Sequence, residues 1–390
     1  MKILWLCSWY PNKIKAFEGD FIQRHAQAVA TLHEIYVIHV VKDTEGKITR
    51  SIFDEVVTNG NLTEKIIYYK PRNTGVKLAD RLLSAMRRVT LYKSAVKKYL
   101  ARNPQCKMAH VHVAITTGSI ALWAKRKYKI PYIVSEHWSA FLPQAIPNAN
   151  ELPSPVKAML ARVFKKASAV TTVSRVLANA IDGRFDVPDI SIVPNVVNTD
   201  IFFPVSKSAS DPIQFLHVST LSLPKNIEQV LQACSMVKKK SHSFILNLFV
   251  PDIMMVHDLV IKYELEGFVN IHTEVPQAVL AKTMQLADAL ILYSSYETFG
   301  CVVIESNACG VPAILSDLPV FKEHSVENET ALFIELNNID QLAEAMIKFI
   351  DHSVSFNSEA IAERTEARFG FKIIAAKFDE IYRTSNSNPS

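Results

Sequence analysis

Short apolar runs alternate with helical patterns along the whole chain of 390 residues. Such short, uniformly apolar runs are typical of strands buried on both faces of a sheet, and the helical patterns between them predict the helices that connect one parallel strand to the next. The alternation therefore predicts an α/β fold with doubly wound parallel sheets covered by helices. It occurs twice, beginning at Ile3 in the first half and at Gln214 in the second, so we expect two domains.

The break between the two halves predicts a linker. Segment 199–211 carries Pro204 and several serines, which favour loop structure over a helix or a strand. The predicted domains are therefore 1–198 and 212–368, followed by an amphipathic helix within 369–390. Ligands of such domains bind where the strands end.

Glycine placement excludes the two best-known phosphate-binding loops. The chain has only 10 glycines, and neither G-x-G-x-x-G nor G-x-x-x-x-G-K-[ST] can be written from their positions. A nucleotide site in this chain must therefore use helix N-termini and isolated glycines.

Charge divides unevenly between the two halves. Residues 1–200 carry 29 Lys and Arg against 15 Asp and Glu, a net charge of +14, whereas the remainder carries −9. Much of the excess lies in a predicted amphipathic basic helix near 76–102. The helix could lie against an anionic membrane surface. Alternatively, it could pack against the core and expose its cationic face to solvent. Nucleic acid is disfavoured because no aromatic stacking platform accompanies the charge.

The acidic half holds the segment with the clearest chemistry. Glu297 and Gly300 follow the apolar run Ala289–Leu292, and Glu305 lies inside a helix predicted to start near Cys301. Amide groups at that helix start could hold a diphosphate, and carboxylates accept hydrogen bonds from sugar or ribose hydroxyls. Spacing alone leaves a second interpretation open, which is two surface glutamates beside a buried helix.

The segment resembles the Glu–seven residues–Glu motif of the retaining glycosyltransferases of family 4, which have the GT-B fold. Similar stretches follow in the expected order along nearly the whole chain: Ser8–Pro11, Gly19–Ala26, Ser135–Ser139, Ala169–Ser174, Val193–Phe202 and Asn307–Pro312. The resemblance implies two Rossmann-like domains facing across a cleft, with acceptor bound by 1–198 and nucleotide sugar by 212–368. It also implies that the terminal helix, 369–390, crosses back to the N-terminal domain.

The resemblance assigns roles to particular residues. Glu305 would hold the ribose hydroxyls, Glu297 the donor sugar and Lys225 the donor diphosphate. Gly19 would approach that diphosphate, and His137 would lie near the anomeric end of the transferred sugar. The expected catalytic residues are His137, Lys225 and Glu297, and the expected donor-binding residues are Gly19, Lys225, Glu297, Thr298, Phe299, Gly300, Cys301, Val302 and Glu305.

Three positions depart from the family pattern. Thr220 stands where an arginine usually helps the lysine to bind diphosphate, and Val196 stands where the hinge motif carries glycine. Residues Ser316–Pro319 replace a glycine-rich turn. One lysine and the helix dipoles must then stabilise the leaving diphosphate, unless Arg24 swings in.

No sequence pattern typical of a metal site is present. The chain has no Asp-x-Asp, and no His or Cys cluster has zinc spacing, so we predict no metal ligands. His110 and His112 alternate on one predicted strand and should share a face, either as structural residues or with His112 touching acceptor. No cofactor is expected, and the implied co-substrate is a UDP- or GDP-linked sugar.

Together with the resemblance, these features predict a metal-independent, retaining hexosyltransferase. Its expected acceptor is a glycan or lipid-linked molecule in cell-surface polysaccharide or lipopolysaccharide synthesis. The 5 cysteines show no paired spacing, which favours a cytoplasmic protein, and peripheral contact with the inner face of the cytoplasmic membrane is a further hypothesis. A nucleotide-sugar epimerase, another GT-B enzyme and a catalytically silent sugar-binding protein remain as alternatives.

Overall fold

The computed structural model describes residues 1–187, 189–207, 210–240 and 243–387. It divides into an N-terminal unit, Met1–Val196 with Phe371–Ser390, and a C-terminal unit, Val197–Gly370. The expected linker 199–211 lies inside the C-terminal unit, where Phe202 is fully buried. Residues 208 and 209 of that linker, and 388–390 of the expected terminal helix, lie outside the described residues.

The N-terminal unit is built on one large sheet. Within the described residues its strands are β1 (Lys2–Cys7), β2 (Glu34–Lys42), β3 (Ile52–Asn59), β4 (Leu62–Tyr69), β5 (Cys106–His112), β6 (Tyr132–Glu136), β7 (Ala169–Thr172) and β8 (Ser191–Ile192). Their order across the sheet is β3-β4-β2-β1-β5-β6-β7-β8. Neighbouring strands are parallel except β3 and β4, which form an antiparallel hairpin.

Helices cover this sheet, and the last helix of the chain is one of them. The helices are α1 (Asp20–Ala30), α2 (Lys77–Arg102), α3 (Ala114–Tyr128), α4 (Ser154–Lys166), α5 (Arg175–Phe185) and the terminal helix (Phe371–Ser387). Ile374, Phe378 and Tyr382 recur every four residues, which places them on one face of the terminal helix. They are buried in the same core as Ile22 and Val29 of α1, so the end of the chain completes the N-terminal unit.

The C-terminal unit has a parallel sheet with the strand order β11-β10-β9-β12-β13-β14. Its strands are β9 (Ile213–Val218), β10 (Phe244–Phe249), β11 (Val269–His272), β12 (Ala289–Leu292), β13 (Ala313–Ser316) and β14 (Ala331–Ile334). Its helices are α6 (Ile227–Lys239), α7 (Ile253–Lys262), α8 (Gln277–Leu286), α9 (Cys301–Ala308), α10 (Pro319–Lys322), α11 (Ile339–Ile350) and α12 (Ser358–Phe369). The prediction of two parallel-sheet α/β domains is confirmed.

Both sheets reverse their strand order at a corresponding place. The order runs outward in both directions from β1 and β5 in the N-terminal unit, and from β9 and β12 in the C-terminal unit. The loops at the carboxyl ends of such a strand pair diverge and leave a crevice, which is where open α/β sheets bind ligands. Each unit therefore has one switch point at which functional side chains are expected.

The basic helix α2 changes character along its length. Tyr92 and Val96, in its C-terminal half, are buried, as expected for a core helix. Leu78, Leu82 and Met86, in its N-terminal half, are exposed although they continue the same apolar spacing. The core interpretation thus holds only for the second half of α2. Among the described residues, α2 included, no helix combines the length and hydropathy that a membrane crossing requires.

Candidate functional site

The candidate site of the C-terminal unit lies at its switch point, where β9 and β12 end. The turn after β9 contains Lys225, which belongs to a short 3₁₀ turn (Leu223–Lys225) ahead of α6. The loop after β12 contains Glu297 and leads into α9. The amide of Ser295 donates a 2.7 Å hydrogen bond to the carbonyl oxygen of Pro224, which ties the two segments together.

Lys225 and Glu297 form an ion pair between Nζ and Oε1. Both side chains are largely buried, with 19% of Lys225 and 12% of Glu297 exposed. Ser294 donates a further hydrogen bond of 3.1 Å to the same oxygen of Glu297. Burial limits the screening of this pair by water, so each charge is held in a defined place beside the start of α9.

Gly300 shapes the start of α9. Its φ of +84° lies in the left-handed region, which side chains other than glycine rarely adopt. A Cβ at this position would also lie 2.8 Å from Cε1 of Phe321. As the N-cap of α9, Gly300 has no side chain to cover the helix start, where the backbone amides and the positive end of the helix dipole favour an anion.

Glu305 lies in the second turn of α9 and is buried, at 6% exposure. Burial, and next the charge of Glu305, raises the pKa of the Cys309 thiol to about 12. That thiol therefore stays protonated at neutral pH. Among the expected donor-binding residues, Thr298 and Phe299 lie in the loop before α9, and Val302 follows Cys301 in its first turn.

Two buried histidines, His217 and His324, form hydrogen bonds to the segments that carry the site residues. Nδ1 of His217, in β9, donates a 2.9 Å hydrogen bond to the carbonyl oxygen of Ile291, and Nε2 accepts one of 2.7 Å from the Ser219 hydroxyl. Burial, and next the charge of Lys225, lowers the pKa of His217 to about 4. His324 likewise bonds the carbonyl of Phe299 at 2.8 Å, which fixes the loop that leads into Gly300.

Thr220 stands where the resemblance leads us to expect an arginine. Its hydroxyl lies 3.0 Å from that of Ser222, so it takes part in a local hydrogen bond of the turn. Arg24, the arginine that could have compensated, is buried in α1 of the other unit and lies 3.5 Å from the carboxylate of Asp20. Lys225 is therefore the basic side chain that the structure places on Glu297.

In the N-terminal unit, Gly19 is the N-cap of α1, after β1. Its φ is +69°, and a Cβ would lie 2.8 Å from the backbone carbon of Trp9. Only glycine satisfies both the left-handed conformation and the close approach. Like α9 in the other unit, α1 therefore begins at a left-handed glycine.

His137 follows β6 and joins a buried group of imidazoles at the N-terminal switch point. The nitrogen atoms that His25, His112 and His137 can offer to a ligand lie within 4.8 Å of one another. His110 and His112 do share a face, with ring centroids 4.0 Å apart, as their alternation predicts. The grouping itself was not predicted, because its members come from α1, β5 and the segment after β6, and no spacing along the chain reveals it.

Of the predicted residues, the structure brings together Lys225 and Glu297, and places Gly300 and Glu305 at and within the adjoining helix α9. Gly19 and His137 belong to the other unit. The ligand roles assigned to all these residues remain predictions.

Comparisons with known proteins extend over most of the chain. Residues 21–201 match the family model Glycosyltransferase Family 4, and residues 198–367 match Glycosyl transferases group 1. TuaC of Bacillus subtilis, named as a glycosyltransferase of teichuronic acid biosynthesis, is 25% identical, and the match covers 95% of this chain and 95% of TuaC.

Solved structures resemble the chain over nearly its full length. Sucrose-phosphate synthase of Thermosynechococcus elongatus has a TM-score of 0.78 at 17% identity, covering 98% of each chain. HepE of Anabaena, solved in complex with UDP, has a TM-score of 0.70 at 14% identity, covering 98% of this chain and 100% of HepE. These likenesses show the GT-B fold. With the two family matches, they establish that the chain belongs to the group 1 glycosyltransferases of family 4.

Proposed function

We propose that this chain transfers a hexosyl-type sugar from a UDP- or GDP-linked donor to a glycan or lipid-linked acceptor, with retention at the anomeric carbon. The observation that carries the proposal is the Lys225–Glu297 ion pair beside the amide-lined start of α9. A cation, a helix N-terminus and an acceptor-only carboxylate are the groups that a sugar diphosphate requires.

The reaction separates a sugar from a diphosphate, so negative charge develops on the leaving phosphate oxygens. Lys225 and the amides at the start of α9 would stabilise that charge from fixed positions. They lower the barrier only if their contacts strengthen as the bond breaks. The donor phosphate would replace Glu297 as the partner of Lys225, which releases the Glu297 carboxylate to accept hydrogen bonds from the sugar hydroxyls.

Glu305 would accept hydrogen bonds from the ribose hydroxyls of the nucleotide. Its burial inside α9 is consistent with this role, because a carboxylate held in low dielectric gains from added donors. The charge of the leaving group is met by Lys225 and backbone dipoles, so we propose that transfer does not require a divalent metal. Retention would follow if the acceptor hydroxyl attacks the anomeric carbon on the face from which the nucleotide leaves, so that the bond to the acceptor oxygen forms as the bond to the phosphate oxygen breaks and that phosphate oxygen takes the hydroxyl proton.

The N-terminal unit would bind the acceptor, with His137 near the transferred sugar. The name of TuaC supports synthesis of a cell-surface polysaccharide as the biological setting. The exposed apolar residues Leu78, Leu82 and Met86 alternate in α2 with the exposed cations Lys77 and Arg81. This combination suits the surface of an anionic membrane and a lipid-linked acceptor presented there.

Calorimetric titration with UDP, GDP and ADP tests the donor site. We expect one of these nucleotides to bind, and Lys225→Ala to weaken it at least about 10-fold, the loss of one charge-assisted hydrogen bond. The matched control is Lys262→Ala, because Lys262 pairs with Glu228 at 2.7 Å on the surface of the same unit. Equal weakening in both variants, or none in Lys225→Ala, would contradict the proposed site.

Turnover assays separate transfer from the alternatives. We expect sugar release from the donor to require an acceptor and to proceed fully in the presence of a chelator. Conversion of the donor without acceptor would indicate an epimerase. Binding without turnover across many acceptors would indicate a silent sugar-binding protein, and strict dependence on a divalent metal would contradict the charge argument.

A further inference from the structure

Three buried histidines of the N-terminal unit lie close together, and only one of them, His137, has a role in the reaction proposed above. His25 lies in α1, His112 ends β5 and His137 follows β6, so the three meet at the switch point between β1 and β5. We call them the histidine trio. His25 and His112 are fully buried and His137 is 6% exposed.

Most ring nitrogens of the histidine trio have no hydrogen-bond partner among the described residues. The Nε2 of His25 lies 3.0 Å from the carbonyl oxygen of Pro194. A carbonyl only accepts, so Nε2 carries the proton and Nδ1 presents a bare lone pair. That Nδ1 and both ring nitrogens of His112 and His137 have no hydrogen-bond partner among the described residues.

The neighbouring His110 makes the contrast clear. It occupies the same face of β5, yet its Nδ1 lies 2.8 Å from the hydroxyl of Tyr382 and its Nε2 lies 2.7 Å from Ser135 Oγ. A buried polar nitrogen without a partner costs about 1–3 kcal/mol, so unpartnered nitrogens concentrated at one point need an explanation.

The chemistry of the trio suits a metal ion. Neutral imidazole is the commonest protein ligand of transition metals. The bond from His25 Nε2 to the carbonyl of Pro194 is the outer hydrogen bond that metal-binding histidines characteristically make, because it fixes the tautomer and aims the other nitrogen.

The geometry also suits an ion. For three atoms that are at most 4.8 Å apart, there is always a common point within about 2.8 Å of all of them. Side-chain movements below about 1 Å would bring each nitrogen to the ~2.0–2.1 Å of a zinc–imidazole bond. Three protein ligands leave one tetrahedral position, which water can fill.

We propose that His25, His112 and His137 form a binding site for a divalent transition-metal ion, with Zn²⁺ as the ion best matched to three imidazoles. Occupancy would hold His137 in the trio. If His137 meets the transferred sugar, which rests on the proposed function, bound Zn²⁺ inhibits transfer and a chelator restores it. The site is therefore distinct from any metal that could assist the departure of the diphosphate.

Metal binding is measured without reference to activity, by competition for Zn²⁺ with a chromogenic chelator and by the visible spectrum of added Co²⁺. We expect one ion per chain and intense tetrahedral Co²⁺ bands. His112→Ala and the conservative His25→Gln should each weaken Zn²⁺ binding at least about 100-fold, since each removes one of three ligands.

The control is His257→Ala, because His257 is exposed in the other unit and its loss should leave both the stoichiometry and the transfer activity unchanged. Circular dichroism identifies any variant that fails to fold, and the remaining ligand variant then decides the result. Absence of a tetrahedral Co²⁺ spectrum, or unchanged Zn²⁺ affinity in a folded ligand variant, would overturn the metal-site proposal. Buried water would then be the remaining explanation for the unbonded nitrogens. If the chain proved not to be a transferase, the metal titration would still test the zinc site by itself.

Discussion

The two units have the same sheet order at their switch points but different chemistry there. In the C-terminal unit the loops after β9 and β12 bring together opposite charges, Lys225 and Glu297. In the N-terminal unit the corresponding region holds buried imidazoles, among them the histidine trio, and burial lowers the pKa of each member of the trio. A shared backbone plan therefore provides two crevices, and the residues placed in the loops decide what each can bind.

The histidines of the two units make the difference sharper. His217 and His324 in the C-terminal unit have both ring nitrogens within hydrogen-bond distance of neighbours. His112 and His137 in the N-terminal unit have neither nitrogen bonded within the described part of the chain. Buried histidines with both ring nitrogens bonded stabilise a loop. Buried histidines with unbonded nitrogens can still bind a ligand.

The largest expected effect concerns charge at the C-terminal switch point. Lys225→Met should lower kcat/KM for sugar transfer about 10²–10³-fold, because it removes a fixed cation from the developing diphosphate charge. His137→Gln keeps hydrogen-bonding capacity and should cost about 10-fold or less. Steady-state kinetics with one donor measures both. Equal losses of kcat/KM in the two variants would contradict the expectation that the charged C-terminal site matters more for transfer than the histidine site of the N-terminal unit.

The second prediction concerns the pH dependence of stability. Burial, and then the charge of Arg368, lowers the pKa of His324 to about 4, with the carbonyl of Phe299 opposing. Between pH 6.5 and 4 the unfolded chain therefore binds a proton that the folded chain does not, so stability falls as the pH falls through this range. At pH 5 this residue should account for about 2 kcal/mol of lost stability.

Urea unfolding at pH 7.5 and pH 5 checks this expectation. His324→Gln should reduce the acid-induced loss by about 2 kcal/mol relative to the unsubstituted chain. The same loss in both proteins would show that His324 is protonated in the folded state. Its environment would then resemble solvent, and the contrast between bonded and unbonded histidines would weaken.

The third prediction compares the two helix starts directly. Gly19→Ala and Gly300→Ala should each destabilise the chain by roughly 1–2 kcal/mol, because alanine is strained at positive φ and its Cβ would contact Trp9 or Phe321. Thermal or urea unfolding measures the change. Gly183→Ala in α5 is the control, because no atom lies within 4 Å of its added Cβ and helix propensity favours alanine. A neutral Gly300→Ala would contradict the described start of α9.

The smallest expected effect concerns the surface of the two units. Leu82 of α2 and Leu286 of α8 are similarly exposed, at 58% and 60%, but Leu82 lies beside two exposed cations, Lys77 and Arg81, whereas Leu286 lies one turn from Lys282. Leu82→Ser should weaken binding to anionic vesicles about 5-fold, or about 1 kcal/mol, and Leu286→Ser should have no effect. Flotation with anionic and neutral vesicles measures this. Equal flotation of both variants, or no lipid preference, would remove the membrane proposal.

The sequence predicted the strands well where burial on both faces makes them uniformly apolar. The bounds of β12 agree with the predicted run Ala289–Leu292 to the residue. Strand β3 was missed because most of its side chains are exposed and its apolar residues do not recur at every second position. The turn residues Gly60 and Asn61 after it would have revealed the hairpin.

The candidate site was predicted only in part. The positions of Glu297, Gly300 and Glu305 around α9 follow from local spacing, and the structure agrees with that spacing. The ion pair of Lys225 with Glu297 and the histidine trio join residues from separate elements. Such contacts depend on how the strands are ordered, which local patterns do not encode.

The most direct test of the donor site is a crystal of the chain soaked with the nucleoside diphosphate that binds best in calorimetry. We expect the diphosphate within hydrogen-bond distance of Lys225 Nζ and of the amides at the start of α9, with Glu305 at the ribose hydroxyls. We also expect Glu297 to have separated from Lys225. Nucleotide density at another place, or an intact Lys225–Glu297 pair beside bound nucleotide, would contradict the account.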